Sequence, residues 1–420
     1  MAESLEIWGG RPLYGTVEIP RAKNSVLPLL AASVLCRGRV SLLQVPALSD
    51  VGVSVKLLRA LGCHVRQTGT SVHIRPAEAP VPQLPAGLMG RMRASVLFLA
   101  PVLARAGQVE ASLPGGCRLG DRPIDLHLAG LEKMGAEVRW CGDRMQLSAP
   151  RGLTGTAFTL RCPSVGATET MLMAAVCAKG TTILHGAAQE PEIGDLAAFL
   201  NACGGRVRCC GGGKIEIQGV PGLTGCRYTP IPDRITAATV ACACAAAGGK
   251  VTMTGVTGET FAPVLDVLEA AGCTVARRQN SVTVERRGRL HGVGLVETGG
   301  YPGFPTDAAP LVAAALLTAD GKSCIRDTIF TRRFACAAGF AAMGGAVQTV
   351  GPALEISPAA RLHGTAVCAQ DLRGGAALVI AALAAAGKTR INDIFYLKRG
   401  YCDVKKLFMP LGAVMDVKKS

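Results

Sequence analysis

The chemistry-bearing residues of this chain are densest in Leu113–His127, which reads LPGGCRLGDRPIDLH. Pro114, Gly115 and Gly116 make a poor helix or strand and a good flexible loop. That loop carries one thiol, Cys117, with Arg118 beside it and Arg122 five residues on. Guanidinium groups favour the thiolate, so Cys117 is expected to be reactive. Asp125 and His127 follow, and Pro123 stiffens the way out. The competing reading is a surface turn with an incidental cysteine, one of 17 in the chain.

The elements that would position this loop emerge when the glycines are aligned, since repeats change every later inference. KLLRALGCHV, LEKMGAEV, FLNACGGRV, VLEAAGCTV, GFAAMGGAV and LFMPLGAVM share one pattern, with Gly62, Gly135, Gly204, Gly272, Gly344 and Gly412 in register. The spacings are 73, 69, 68, 72 and 68 residues. Glycine at the end of an amphipathic helix predicts a left-handed C-cap. The alternating stretch after each, such as VRQTGTSVHI, predicts a strand pair with a turn. Upstream of each glycine lies a second motif, an apolar segment running into a Gly and a strand, as in MLMAAVCAKGTTILHG. Helices apolar nearly all round are buried ones.

Six units with buried helices and outer sheets predict an α/β fold, an inside-out α/β barrel in two domains. Each unit would be βαβαββ-like, three to a domain, with the active site in the interdomain cleft. The predicted domains are 23–230, carrying the cysteine loop at about 113–123, and 1–22 plus 231–420, where the N-terminal strand Leu5 to Pro20 completes the second. A stacked solenoid is the alternative for a repeat protein, but units near 70 residues are long for one.

Composition narrows the class. Hydrophobic residues make up 49% and charged residues 18% of 420, so the chain should pack into globular cores. The cysteines are scattered, with no paired CxxC, which fits neither a zinc site nor a secreted disulfide framework. Most are expected to be small buried hydrophobes in a reducing cytoplasm. MAESLEIWGG has neither a basic nor a long apolar run, so no export signal is expected. The longest apolar runs, near Ile235–Ala247 and Gly374–Ala386, fall short of the roughly 20 residues that cross a bilayer, so no membrane insertion is expected. The net charge of +15 invites nucleic acid. Yet Lys and Arg are dispersed and not interleaved with aromatics, and small anionic substrates explain a basic cleft equally well.

Motifs in order along the whole chain carry a resemblance: AKN at 22–24, RAS at 93–95, PGGCRLGDRPIDLH at 114–127, PSVGAT at 163–168, EPEI at 190–193, PDRI at 232–235, FPTD at 304–307, DLR at 371–373 and RGY at 399–401. In these the chain resembles the UDP-N-acetylglucosamine enolpyruvyl transferases of peptidoglycan synthesis. The resemblance implies transfer of the enolpyruvyl group of phosphoenolpyruvate to the sugar 3-hydroxyl by addition and elimination, with no metal or redox cofactor. It implies Cys117 as proton donor and as the thiol that fosfomycin alkylates. Asp307 would be the base, although an Asp there would also serve as N-cap of an apolar helix Ala308–Ala319. Lys23, Arg122 and Arg399 match phosphoenolpyruvate-binding cations, for which the planar Arg fork is suited. Asn24 and Arg93 match substrate contacts, and Arg373 an arginine that pairs across the closed cleft. The nucleotide would lie on Arg122, Pro123, Ile124, Asp125 and Leu126 together with Ser164, Val165 and Gly166, whose turn before a helix offers N–H donors to a diphosphate. Asp125 is expected at the uracil edge, and the Ile329 carbonyl at the sugar.

The chain departs from the family pattern at Thr236, Ala309, Thr331, Arg332 and Lys398, and at Gln189 and Cys162. These departures leave open a transferase of another acceptor, as in EPSP synthases, or a catalytically weak or silent paralogue acting as a ligand-binding regulator.

Overall fold

The computed structural model describes residues 3–115, 123–359 and 361–419. Cys117 and Arg122 therefore lie outside the described residues.

The repeat is visible strand by strand. In one unit Ala157–Thr159, the helix Val165–Ala175, Thr181–His185, the helix Pro191–Ala202, Arg206–Gly211 and Lys214–Gln218 follow in order. The first strand runs parallel to the second, the second is antiparallel to the fourth, and the fourth to the third. The sheet built on Gly294–Glu297, Ser323–Arg326, Ala346–Val350 and Ala353–Ser357 repeats this order. In two others the N-terminal residues supply strands: Leu13–Glu18 lies parallel to Gly249–Thr254, and Glu3–Gly9 pairs between Gly387–Asn392 and Val414–Lys419. So after Gly412 there is one strand, not the expected pair, and Glu3–Gly9 takes the second place. Val40–Leu42 finds its parallel partner in the distant Arg227–Tyr228. The sheet of Gln108–Ser112, Glu137–Cys141 and Arg144–Ser148 has three strands, with Gln83 bridging Glu110 where a first strand would run.

All six repeat glycines are left-handed, with φ between 86° and 97°. At each, the glycine N–H donates three residues back and the next N–H donates five back. Gly135 bonds the Glu132 carbonyl at 2.9 Å and Ala136 the Leu131 carbonyl at 3.0 Å. That pair of bonds satisfies carbonyls a helix end otherwise leaves open, and it needs a residue without Cβ in the left-handed position.

The chain divides into two compact units. One takes residues through Pro20 and from Pro232 onwards, and the other runs from Arg21 to Ile231. Each has its own hydrophobic core. In the first, the helices Arg234–Ala247, Ala309–Leu316 and Leu372–Ala384 pack on one another. From Arg234 to Ala246 every residue of the first of these is buried. Ala, Cys and Thr side chains let such helices approach closely, and the strands around them alternate buried and exposed positions, as Ser281–Arg286 does. In the second unit Lys23–Ala32 continues into Ser33–Leu35 and packs on Arg93–Phe98 and Leu99–Ala106, which lies against Val165–Ala175. Among the described residues no helix is long and apolar enough to cross a membrane.

The expectation for the cysteines needs correction. Of the 16 described, seven are buried, three are half-buried and six are exposed. Cys141, Cys209, Cys210 and Cys368 lie on strands at positions open to solvent.

Candidate active site

The predicted residues fall into two sets, one in each unit. In the Arg21–Ile231 unit, Lys23 is the first residue of its helix. The N–H groups of Ser25 and Val26 are consequently taken by the Ala22 carbonyl and are not available to an anion. The Lys23 ammonium is buried and lies 2.8 Å from Asp50, whose carboxylate is also buried. Asn24 points to solvent. Beneath them Ser25 donates to Asp195, which also accepts from the Tyr228 hydroxyl at 2.7 Å and from Ile231 N–H at 3.3 Å. Asp195 therefore joins two helices, a strand and the segment leaving the unit. Burial still holds its pKa above the ordinary carboxylate value.

Arg93 opens a short 3-10 helix and donates to the Pro123 carbonyl at 2.7 Å, so the RAS and RPIDL motifs meet. Ile124 is buried, while Asp125 and Leu126 are half-buried at the start of the helix Asp125–Lys133. Asp125 forms an ion pair with Arg161. Ser164 caps Val165–Ala175, its hydroxyl accepting from Ala167 N–H at 3.3 Å. Val165 and Gly166 occupy that helix's first turn, where N–H groups have no intrahelical partner. The RPIDL and PSVGAT motifs are held together by His127. Its ring lies 3.0 Å from where a Cβ on Gly166 would be, and its Nδ1 is 2.8 Å from Thr170 Oγ1. Gly166 is thus glycine for close approach.

Gly115 differs from expectation in the same way. Its N–H donates to the Met89 carbonyl at 2.9 Å, and a Cβ would stand 1.8 Å from the Gly90 carbonyl oxygen. The glycine anchors the chain just before Cys117 by backbone contact; it does not loosen it there.

In the other unit Asp307 sits in the turn Thr306–Ala308 before Ala309–Leu316. It does not cap that helix, whose first-turn N–H groups receive no side-chain acceptor. Instead its carboxylate takes Arg373 Nη2 at 2.8 Å and Nε at 3.1 Å, with Arg333 Nη2 at 3.4 Å. Burial works to raise its pKa, but Arg373, Arg333 and Arg234 overcome that and hold it well below the usual carboxylate range. Arg373 stands at the start of Leu372–Ala384, capped by Asp371, and its buried Nη1 has no hydrogen-bond partner among the described residues. Arg399 is half-buried at the end of Ile394–Arg399. The following Gly400 lies on Leu372, where a Cβ would meet Cδ2 at 2.8 Å, so RGY and DLR are neighbours. The Tyr401 hydroxyl is 2.7 Å from Thr239. Ile329 is 47% exposed; its N–H and that of Phe330 donate to Asp327 at 2.8 Å.

Residue-by-residue expectation missed Asp50, Asp195, His127 as a positioning group, Asp327, Arg333 and Arg234. Arg333, 1% exposed, donates to Thr306 at 3.0 Å, reaches Asp327 at 3.3 Å and stacks over Phe330 at 4.7 Å. Asp195 did leave a signal, an acid in the middle of the largely apolar segment PEIGDLAAFLNA, three residues after Glu192. The departures are placed unevenly. Thr331, Arg332, Lys398, Gln189 and Cys162 are exposed, whereas Thr236 and Ala309 are buried. Lys398 pairs with Glu3.

Comparison with known proteins agrees over the whole length. The profile of the EPSP synthase (3-phosphoshikimate 1-carboxyvinyltransferase) family matches residues 7–407. The UDP-N-acetylglucosamine 1-carboxyvinyltransferase of Acidiphilium cryptum is 41% identical over 414 residues, covering 99% of both chains. That of Finegoldia magna is 41% identical over 417 residues, covering 99% of this chain and 98% of its own. The crystal structure of the enolpyruvyl transferase NikO from Streptomyces tendae superposes with a TM-score of 0.90 at 26% identity, covering 100% of this chain and 99% of its own. An EPSP synthase from Acinetobacter baumannii shares the fold with a TM-score of 0.78 at 18% identity, each chain covered completely. Five four-stranded sheets of one strand order with a three-stranded sixth, the motifs in sequence and these full-length matches lead to one conclusion: the chain belongs to the EPSP synthase family.

Proposed function

We infer that this protein transfers the enolpyruvyl (1-carboxyvinyl) group of phosphoenolpyruvate to the 3-hydroxyl of UDP-N-acetylglucosamine, with release of phosphate, in the first committed step of peptidoglycan synthesis. The observation that carries this reading is 41% identity across the full length to transferases of that name. Both substrates are cytoplasmic metabolites, and the cytoplasm is the location this reading assigns.

The reaction adds the sugar hydroxyl across the enol double bond and then eliminates phosphate. No step changes an oxidation state, so proton transfer and charge stabilisation suffice. Cys117 protonates the methylene carbon in this proposal, since a thiol pKa near about 8.5 is easily lowered by neighbouring cations. Lys23, Arg122 and Arg399 hold the carboxylate and phosphate. Asn24, Arg93, Pro123 to Leu126, Ser164 to Gly166 and the Ile329 carbonyl hold the nucleotide sugar.

Asp307 takes the proton of the 3-hydroxyl. With Arg373 and Arg333 on its carboxylate it is a weak base. A substrate that draws Arg373 away would remove a cation from Asp307 and raise its basicity.

Phosphate release from phosphoenolpyruvate tests the reading, with UDP-N-acetylglucosamine, shikimate 3-phosphate or no acceptor in parallel. Release is expected with the nucleotide sugar alone. Dependence on shikimate 3-phosphate would select the other acceptor. No release with either, while ligand binding persists, would make the chain a silent paralogue.

A further inference from the structure

We infer that Cys203 and Cys226 are a closable dithiol, a modification site at which oxidation by a low-molecular-weight disulfide links the end of the Pro191–Ala202 helix to the strand Arg227–Tyr228. Their sulfurs are 3.2 Å apart, against about 2.0 Å in a disulfide. Folding has already brought them into contact across 23 residues of sequence.

The backbone on both sides is fixed. Cys203 is the C-cap of its helix, and its carbonyl accepts Thr224 N–H at 2.8 Å and Thr224 Oγ1 at 2.9 Å. The Cys226 carbonyl accepts Ser41 N–H at 2.8 Å, and the next residue pairs with Ser41 in the sheet. These bonds hold the two main-chain segments in place, so only rotation about each Cα–Cβ bond can part the sulfurs. Most other described cysteines lack such a partner. The adjacent Cys209 and Cys210 are both exposed on one strand, where alternation sends neighbours to opposite faces.

The two thiols also differ in access. Cys226 is half-buried and Cys203 is fully buried. Cys226 as thiolate therefore attacks one sulfur of the small disulfide and expels one small thiolate. Cys203 then attacks the mixed disulfide at the Cys226 sulfur and expels the second. Two S–H bonds are lost, one S–S bond forms, and the small disulfide is reduced to two thiols. The bond to Cys226 pulls the Cys203 pKa down, but contact with Cys36 and burial outweigh it and leave the thiol raised to about 12. Contact with Cys203 and burial push Cys226 up as well. Few thiolates exist at neutral pH, so closure is slow there and accelerates as pH rises.

The consequence is local stiffening behind Lys23. Tyr228, two residues after Cys226, bonds Asp195, which lies on the same helix as Cys203 and also accepts from Ser25.

The test uses the full chain, freed of reductant and incubated with glutathione disulfide at pH 7 and pH 8.5. Peptide mass spectrometry without reduction should find Cys203 joined to Cys226 with loss of two hydrogens, forming faster at the higher pH. The melting temperature should rise by about 5 °C, reversibly with dithiothreitol, and the rise should be absent in Cys226→Ser. A persistent glutathione adduct on Cys226 without the link, or a Cys36–Cys203 link in its place, would overturn the proposal. So would an equal, reductant-sensitive rise in Cys226→Ser.

Discussion

Each unit carries an acidic side chain beside its candidate residues, and the two are driven in opposite directions. Asp307 lies among Arg373, Arg333 and Arg234, and its carboxyl is held ionised far into acid. Glu169 lies one turn beyond Ser164, Val165 and Gly166, 4% exposed on a buried helix. Burial first, and then repulsion from Glu192 and Glu190, push its pKa well above the ordinary 4.5. The same chemical group has its pKa lowered in one unit and raised in the other. Neighbouring charge and solvent decide which, not residue type.

Breaking this contrast is most costly at Asp307. Asp307→Ala strips Arg373 of its carboxylate partner, while Arg333 keeps Asp327, and should cost about 3 kcal/mol in urea unfolding. Its turnover should fall about 100-fold or more if it accepts the hydroxyl proton. Because its folded pKa is depressed, its stabilisation is present above the unfolded value near about 3.9 and is lost as pH falls through the folded one. Mutant and parent should converge in stability in acid; a constant gap from pH 7 to pH 3 would refute the ion-pair account.

A smaller effect is expected at Gly166→Ala. The new Cβ would lie 3.0 Å from a His127 ring that Thr170 holds in place, so the ring cannot retreat. Overpacking of about 1–3 kcal/mol is partly offset by the better helix propensity of alanine, leaving about 1 kcal/mol lost. The KM for the nucleotide sugar should rise while the Kd for phosphoenolpyruvate stays unchanged, as calorimetry on each ligand would reveal.

The smallest effect is at Glu169→Gln, with the opposite pH sign to Asp307. A carboxyl whose folded pKa is raised contributes stability that is complete below its unfolded value and is lost as pH rises towards the folded one. The glutamine variant should match the parent at pH 4.5 and melt higher by about 2 °C at pH 8. A variant equally or more destabilised at pH 8 would mean Glu169 is ionised in the fold.

Much of the architecture is legible in the chain because it is repeated. A glycine recurring six times after an amphipathic helix has one local explanation, and the left-handed turns at Gly62 through Gly412 agree with it. The motif residues were legible as types. Their partners were not, because Asp50, Asp195, Asp327 and Arg333 act across gaps that local periodicity does not encode. Asp307 shows the limit most clearly. Its position before an apolar helix argues for a cap, but three guanidiniums from other segments claim the carboxylate first. Gly115 and Gly166 read as flexible or open positions, yet each is glycine because another chain segment passes within contact distance.

What the sequence by itself determined was therefore the repeat, the apolar helices, the turn glycines and the identity of the motif residues. All of these depend on local propensity and period. The tertiary structure decided the opposite pKa shifts of Asp307 and Glu169, the clamp of His127 on Gly166, and the meeting of Cys203 with Cys226. Those depend on which atoms face one another across long separations, where burial and Coulomb interactions set the chemistry.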